Sequence, residues 1–239
     1  MSRAIPSGLL LGLLLAMILP APAAAGMKVD LELILMADAS GSIDHEEFLL
    51  QRRGYARALR DPRVIDAIRT GRLGRIALSY VEWSGPEIQV PIVPWTVIRD
   101  KADIVSFAER LEKIPRQVFF GGTALGDAIL YGVSSLQTNS YQGRRLVIDL
   151  SGDDSDKDGL NAAIGRDRAV AGGMTVNGLA ILEGWPELGL FFRDNVIGGP
   201  GAFYIPTLGL KDFEIAIRKK LIREIAGHPG GDSLRTAGR

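Results

Sequence analysis

Hydrophobic and polar positions alternate along this chain in blocks that read as strands and helices in turn. Val29 to Ala37 is nearly continuous in apolar residues, as expected of a strand buried on both faces. His45 to about Leu59 has helical spacing. Asp44 is its candidate N-cap, Glu47 completes a capping box, and Asp61-Pro62 ends it. Val64 to Thr70 adds a short helix closed by Gly71, and Arg75 to Trp83 is a second strand. Ser84-Gly85-Pro86 then turns the chain into Ile88 to Val93, so this pair is expected to be an antiparallel hairpin, with Pro91 and Pro94 placing the later strand at a sheet edge.

Lys101 to Lys113 repeats apolar residues at helical spacing. Phe119-Phe120-Gly121-Gly122 forms a loop, and Thr123 opens a helix running to about Leu136. Arg145 to Leu150 is a strand ending in the acidic loop 151–159. A helix at Asn161 to Ala171, a strand at Thr175 to Leu182, a helix near Pro186 to Val196, a strand at Phe203 to Ile205 and a helix at Leu210 to Ala226 complete the pattern. This order predicts an α/β fold: a doubly wound, mostly parallel sheet with one antiparallel edge strand and helices on both faces. Ligands of such sheets bind beyond the carboxyl ends of the strands, where strand order switches.

The ends of the chain change the picture. Arg3, the apolar stretch Leu9 to Leu19 and Ala23-Ala24-Ala25 have the layout of a signal peptide over residues 1–25. The alternative, an uncleaved anchor, is disfavoured because eleven residues broken by Gly12 fall short of the roughly 20 needed to span a bilayer. No later run approaches that length. The expected product is an exported bacterial protein, periplasmic or secreted, with one domain over 26–226 and a flexible polar tail over 227–239. Cys is absent, which excludes disulfides, thiolate metal sites and Cys nucleophiles, so stability must come from the core. With 28 basic and 28 acidic side chains in the whole chain, no basic excess points to nucleic acid. Arg52, Arg53, Arg57, Arg60 and Arg63 recur at near-helical spacing, but Glu46, Glu47 and Asp61 beside them indicate a solvated, mixed-charge helix face.

Candidate chemistry sits where the first strand meets its loop. Asp38, Ser40 and Ser42 present one carboxylate and two hydroxyls at alternate positions, a donor set suited to a hard divalent cation such as Mg²⁺. Alone, such a cluster is more often a strand-end turn in which the side chains bond to the backbone. The Asp-x-Ser-x-Ser pattern is joined by Gly121-Gly122-Thr123 at a helix start and Ser151-Gly152-Asp153-Asp154 after a later strand. In these three elements the chain resembles a von Willebrand factor type A domain from residue 29 to about 226.

The resemblance implies a metal-ion-dependent adhesion site holding Mg²⁺ or Mn²⁺, with Asp38, Ser40, Ser42, Thr123 and Asp153 as ligands and Asp154 the alternative to Asp153. The usual family ending is Thr-Asp-Gly. Here the Asp falls one position later, as in a bacterial exported branch of the superfamily grouped as a domain of unknown function, which also carries Ser-Gly-Asp. In the family the hydroxyls coordinate directly, the Asp side chains can act through water, and an open position accepts a carboxylate from a protein partner. The implied function is metal-dependent protein binding and not catalysis.

Rival readings remain. Asp154, Asp156 and Asp158 followed by Gly159 resemble the start of a calcium-binding loop and suggest a weak second Ca²⁺ site, but position twelve is Gly165 where a bidentate Glu is needed. A solvated acidic loop is the plainer use of these residues. Asp38 as a nucleophile for phosphotransfer-type hydrolysis lacks the second Asp two residues on, because Ser40 stands there. A Ser-His-Asp arrangement would depend on His45, in a helix first turn, or His228, in the tail. A scaffold module in which the ion only staples loops is the third. Trp83, Trp95 and Trp185 are assigned to core or strand-end packing ahead of a recognition surface.

Overall fold

The computed structural model describes residues 26–227; the signal-peptide and tail assignments, and His228, lie outside them. Eight strands and seven helices follow in the order β1 Met27–Val29, β2 Glu32–Asp38, α1 His45–Leu59, α2 Pro62–Arg69, β3 Ile76–Trp83, β4 Gln89–Ile98, α3 Lys101–Lys113, α4 Leu125–Thr138, β5 Tyr141–Gly143, β6 Leu146–Gly152, α5 Ala162–Ala171, β7 Thr175–Ile181, α6 Leu188–Phe191, β8 Tyr204–Thr207 and α7 Phe213–Ala226. Six strands form one sheet in the order β4-β3-β2-β6-β7-β8, and only the β3/β4 pair is antiparallel. The chain leaves β2 toward one edge and β6 toward the other, so the switch in strand order lies between these central neighbours.

β2 is buried along its whole length because each face of the sheet is covered. Leu33, Leu35 and Ala37 enter the core beneath α1, α2, α3 and α7, whereas Ile34 and Met36 point into the core beneath α4 and α5. This period of two explains why the sequence is apolar throughout and does not alternate. α1 begins as expected: the Asp44 carboxylate accepts from Glu47 N at 2.9 Å and Glu47 returns the bond to Asp44 N at 2.7 Å. β4 is the edge strand, and it continues past Pro94 to Ile98.

Four expectations need correction. The first strand is broken: Asp30 turns its carboxylate to the Leu73 amide at 2.7 Å, and the three residues before it pair with β5 as a separate parallel ribbon. The helix expected over Pro186 to Val196 is a single α turn from Leu188 that widens into a π turn over Phe192–Val196. Thr123 does not begin α4; Ala124 occupies the cap position and no side chain caps it.

Arg52 does not belong to a solvated face. It is buried, donates to Glu82 at 2.7 Å, and also reaches the carbonyls of Leu111 (3.2 Å) and Ile114. Burial pushes the Glu82 carboxyl up, against the pull of Arg52. Arg52→Met is therefore expected to cost about 3–5 kcal/mol in urea unfolding, since it strands a buried carboxylate and two carbonyls, while Arg52→Met with Glu82→Leu recovers much of the loss. A single variant unfolding like the parent would contradict this role.

Candidate metal centre

Asp38 closes β2 and Asp153 follows β6, its neighbour in the sheet, so register alone brings the two carboxylates to one point on the carboxyl edge. Ala37 lies opposite Ser151, which puts Asp38 beside Gly152. The strands leave little room there: a Cβ on Gly152 would stand 3.3 Å from Asp38 Oδ2 and 3.5 Å from the Trp83 ring. Trp83 is fully buried and donates its indole N–H to the Met36 carbonyl at 3.2 Å, forming the floor below the two acids. Gln51 from α1 donates to the Asp38 carbonyl at 3.1 Å and fixes the strand end.

From Asp38 a chain of polar contacts runs outward. The Ser40 amide donates to Asp38 Oδ1 at 2.8 Å, the Ser40 and Ser42 hydroxyls are 3.1 Å apart, and Ser42 donates to Asp153 Oδ1 at 3.2 Å. Asp38 Oδ2 is buried with no hydrogen-bond partner. Burial, reinforced by the charge of Asp153, pushes the Asp38 carboxyl up to about 8, with the Ser40 hydrogen bonds opposing. Burial likewise raises Asp153, against the hydrogen bond from Ser42. An unpaired buried carboxylate oxygen facing a second carboxylate is costly unless a cation joins them.

Thr123 is also buried and reaches the same rim by backbone connections. Gly41 N donates to the Gly121 carbonyl at 3.1 Å, and Lys157 N to the Thr123 carbonyl at 2.9 Å. Its hydroxyl is not bonded to the four other side chains, which form a continuous cluster without it. Ser84, at the end of β3, holds this loop by bonds to the carbonyls of Phe120 (3.0 Å) and Gly122 (3.1 Å). The oxygen-only set of two carboxylates and three hydroxyls fits a hard divalent ion and would suit a soft one poorly.

The rest of the acidic loop is engaged elsewhere. Asp154 pairs with Lys157 at 3.0 Å and takes the Ser155 amide. Asp156 accepts from Ala162 N at the start of α5 at 2.7 Å. Asp158 packs so closely on Gly122 that a Cβ there would meet its Oδ2 at 2.2 Å. The second Ca²⁺ site suggested for Asp154, Asp156 and Asp158 is therefore not formed: no three acidic or His side chains converge among the described residues. Gln51 and Ser84 escaped the sequence reading because their contributions depend on register and backbone approach. The Gly before Asp153 was the one readable signal.

This fold, with an Asp-x-Ser-x-Ser loop at its switch point, is that of a von Willebrand factor A-like domain. The chain belongs to the family described as "Protein of unknown function (DUF1194)", whose model matches residues 28–229. Similar solved structures include proximal thread matrix protein 1 from the mussel byssus, at 15% identity over 84% of this chain and 49% of that one with TM-score 0.60. Another structure of that mussel protein is titled as having a zinc-occupied MIDAS motif (16% identity, 84% and 49% coverage, TM-score 0.56). A von Willebrand factor type A protein from Catenulispora acidiphila gives 16%, 83%, 43% and 0.59, and manganese-loaded TRAP protein of Plasmodium vivax gives 14%, 82%, 73% and 0.50, in the same order. The chain spans about half the length of the mussel protein. No curated protein sequence matches it. Among the described residues no helix is long and apolar enough to cross a membrane.

Proposed function

We propose that the protein is an exported module that holds a divalent cation, Mg²⁺ or Mn²⁺, with Asp38, Ser40, Ser42, Thr123 and Asp153, and through it binds an acidic side chain of a protein partner. The observation that carries this reading is the buried, unpartnered Asp38 Oδ2 facing Asp153, a pair that a cation would complete. Asp153 is preferred over Asp154 because its carboxyl joins the Ser42 hydroxyl whereas that of Asp154 joins Lys157. The zinc and manganese named for the mussel and Plasmodium proteins support a divalent ion in this fold. Binding is favoured over phosphotransfer-type catalysis because Ser40 stands where a nucleophilic Asp38 would need a second Asp.

The bound ion would supply an electrophilic coordination position. The protein's part is to fix the oxygens: Gln51 anchors the Asp38 backbone, Ser40 orients the carboxylate, and Ser42 spans to Asp153. Millimolar Mg²⁺ or Mn²⁺ is expected to raise the melting temperature by linkage, and Asp38→Ala to remove the shift. A wild-type protein whose melting point ignores both ions would refute the site.

A further inference from the structure

Two aromatic rings stand beside this centre with nothing to cover them. Phe119 and Phe120 are 67% and 73% exposed, yet their loop is held at several points. Besides the Ser84 and Gly41 bonds, Ala124 N donates to the Ser84 carbonyl at 3.1 Å. Gly121 has φ +118°, and a Cβ on it would meet Ser84 Oγ at 2.3 Å. A fixed backbone therefore displays both rings outward. Burying one such ring is worth about 1.5–3 kcal/mol, which the fold itself does not collect.

The surface next to the rings is basic. Arg116 donates to the carbonyls of Val118 (2.5 Å), Ile43 (2.8 Å) and Asp44 (3.2 Å), directly after Ser42, and its guanidinium lies 5.0 Å from the Phe48 ring and 5.8 Å from that of Phe119. With Arg53 and His45 it lines a cavity of about 410 Å³ at the start of α1. Glu112, the acid in this lining, is committed to Arg60 at 2.8 Å, and neither Arg53 nor Arg116 has a carboxylate at ion-pair distance among the described residues. Metal site, rings and basic cleft are contiguous, because Arg116 touches the first loop, Phe119 and the cleft.

We propose that this surface receives an acidic and apolar segment of a partner protein: an Asp or Glu on the metal, a large apolar side chain adjacent in sequence on Phe119 and Phe120, and further acidic charge along the Arg53–Arg116 cleft. The inference rests on the metal-dependent reading above and supplies the chemistry of its partner. A displayed library of random dodecapeptides, selected on the full chain in millimolar Mg²⁺, tests it. Sequences pairing an acid with a neighbouring aromatic or large aliphatic residue are expected. A peptide so selected should bind Phe119→Ser/Phe120→Ser at least about tenfold more weakly, with the Mg²⁺ melting shift unchanged. Arg53→Glu should reduce the extra acidic residues.

Metal-dependent peptides indifferent to the Phe pair would overturn the apolar contact and leave the metal reading standing. Indifference to Arg53→Glu would overturn the basic cleft. Absence of any Mg²⁺-dependent selection would sink the partner reading and this inference together. Sedimentation in Mg²⁺ reads the competing occupant: a dimer abolished by the Phe substitutions would assign the rings to a second copy.

Discussion

Asp38→Asn should stabilise the metal-free protein while abolishing its response to metal. In the wild type Asp38 Oδ2 has no partner and faces Asp153 in a buried site. Folding must therefore place an acidic group where water is excluded and a like charge is near. Asn keeps the shape and can still accept the Ser40 amide at the Oδ1 position. Its NH₂ would replace the orphaned oxygen and donate toward Asp153. Removing an unsatisfied buried group of this kind is worth about 1–3 kcal/mol, and more where the group is charged. At roughly 2–4 °C per kcal/mol for a domain of this size, the apo melting point should rise by several degrees. Saturating Mg²⁺ should then favour the wild type alone. Calorimetry of both proteins with chelator and with Mg²⁺ checks the crossing. A purely structural Asp38 predicts loss of stability under both conditions, so an apo melting point below wild type would defeat the functional account.

The parts of the molecule legible in the sequence are those fixed by local chemistry. The bounds of α1 and α3, the Asp44–Glu47 capping box, the β3–β4 hairpin and the proline-marked edge strand all depend on residues close in sequence. The Asp38–Ser42 loop was readable because its polar contacts join residues two apart in sequence. Other features depend on distant partners. Glu32 looks like a polar interruption of a buried strand, but it is satisfied by Asn139 Nδ2 at 2.6 Å and Gly143 N at 2.5 Å, more than a hundred residues away. β5, three residues long, has no periodicity to detect and exists through its pairing with β1. The acidic loop fails as a calcium site for the same reason. Its carboxylate spacing matches a calcium loop, but Asp156 is drawn to the start of α5 and Asp158 lies against Gly122. Spacing defines which ligands are available, and tertiary packing decides which of them converge.

The least legible feature leads to the second large prediction, that Glu224→Gln should stabilise the protein at alkaline pH and leave it almost unchanged at pH 5. On α7, Lys220 is wholly buried, with Nζ 2.6 Å from Asp149 Oδ1 on β6 and 2.5 Å from Glu224 Oε1. Asn177 on β7 also donates to Glu224 Oε1, at 2.9 Å. Two acids thus share one ammonium. Tyr55 from α1 bonds to Ser151, and the Arg145 guanidinium bonds to the backbone carbonyls of Glu224 and Ile225 and not to either carboxylate. Asp149 Oδ2 and Glu224 Oε2 lack a hydrogen-bond partner, as expected if a proton must sit between two carboxyl groups for them to bond. Burial, then repulsion from Asp149, pushes Glu224 up to about 8, with Lys220 opposing. The folded protein therefore retains a proton that the unfolded chain releases near pH 4.5. The stabilisation is complete below that value and is lost as pH rises through about 8. At 1.36 kcal/mol per pKa unit the effect is on the order of a few kcal/mol. Gln holds the neutral form at every pH, placing its NH₂ where the proton would be. The melting curves of variant and wild type should diverge by several degrees between pH 5 and 9. Curves that stay parallel over that range would show that Glu224 is charged throughout and that Lys220 neutralises the pair unaided.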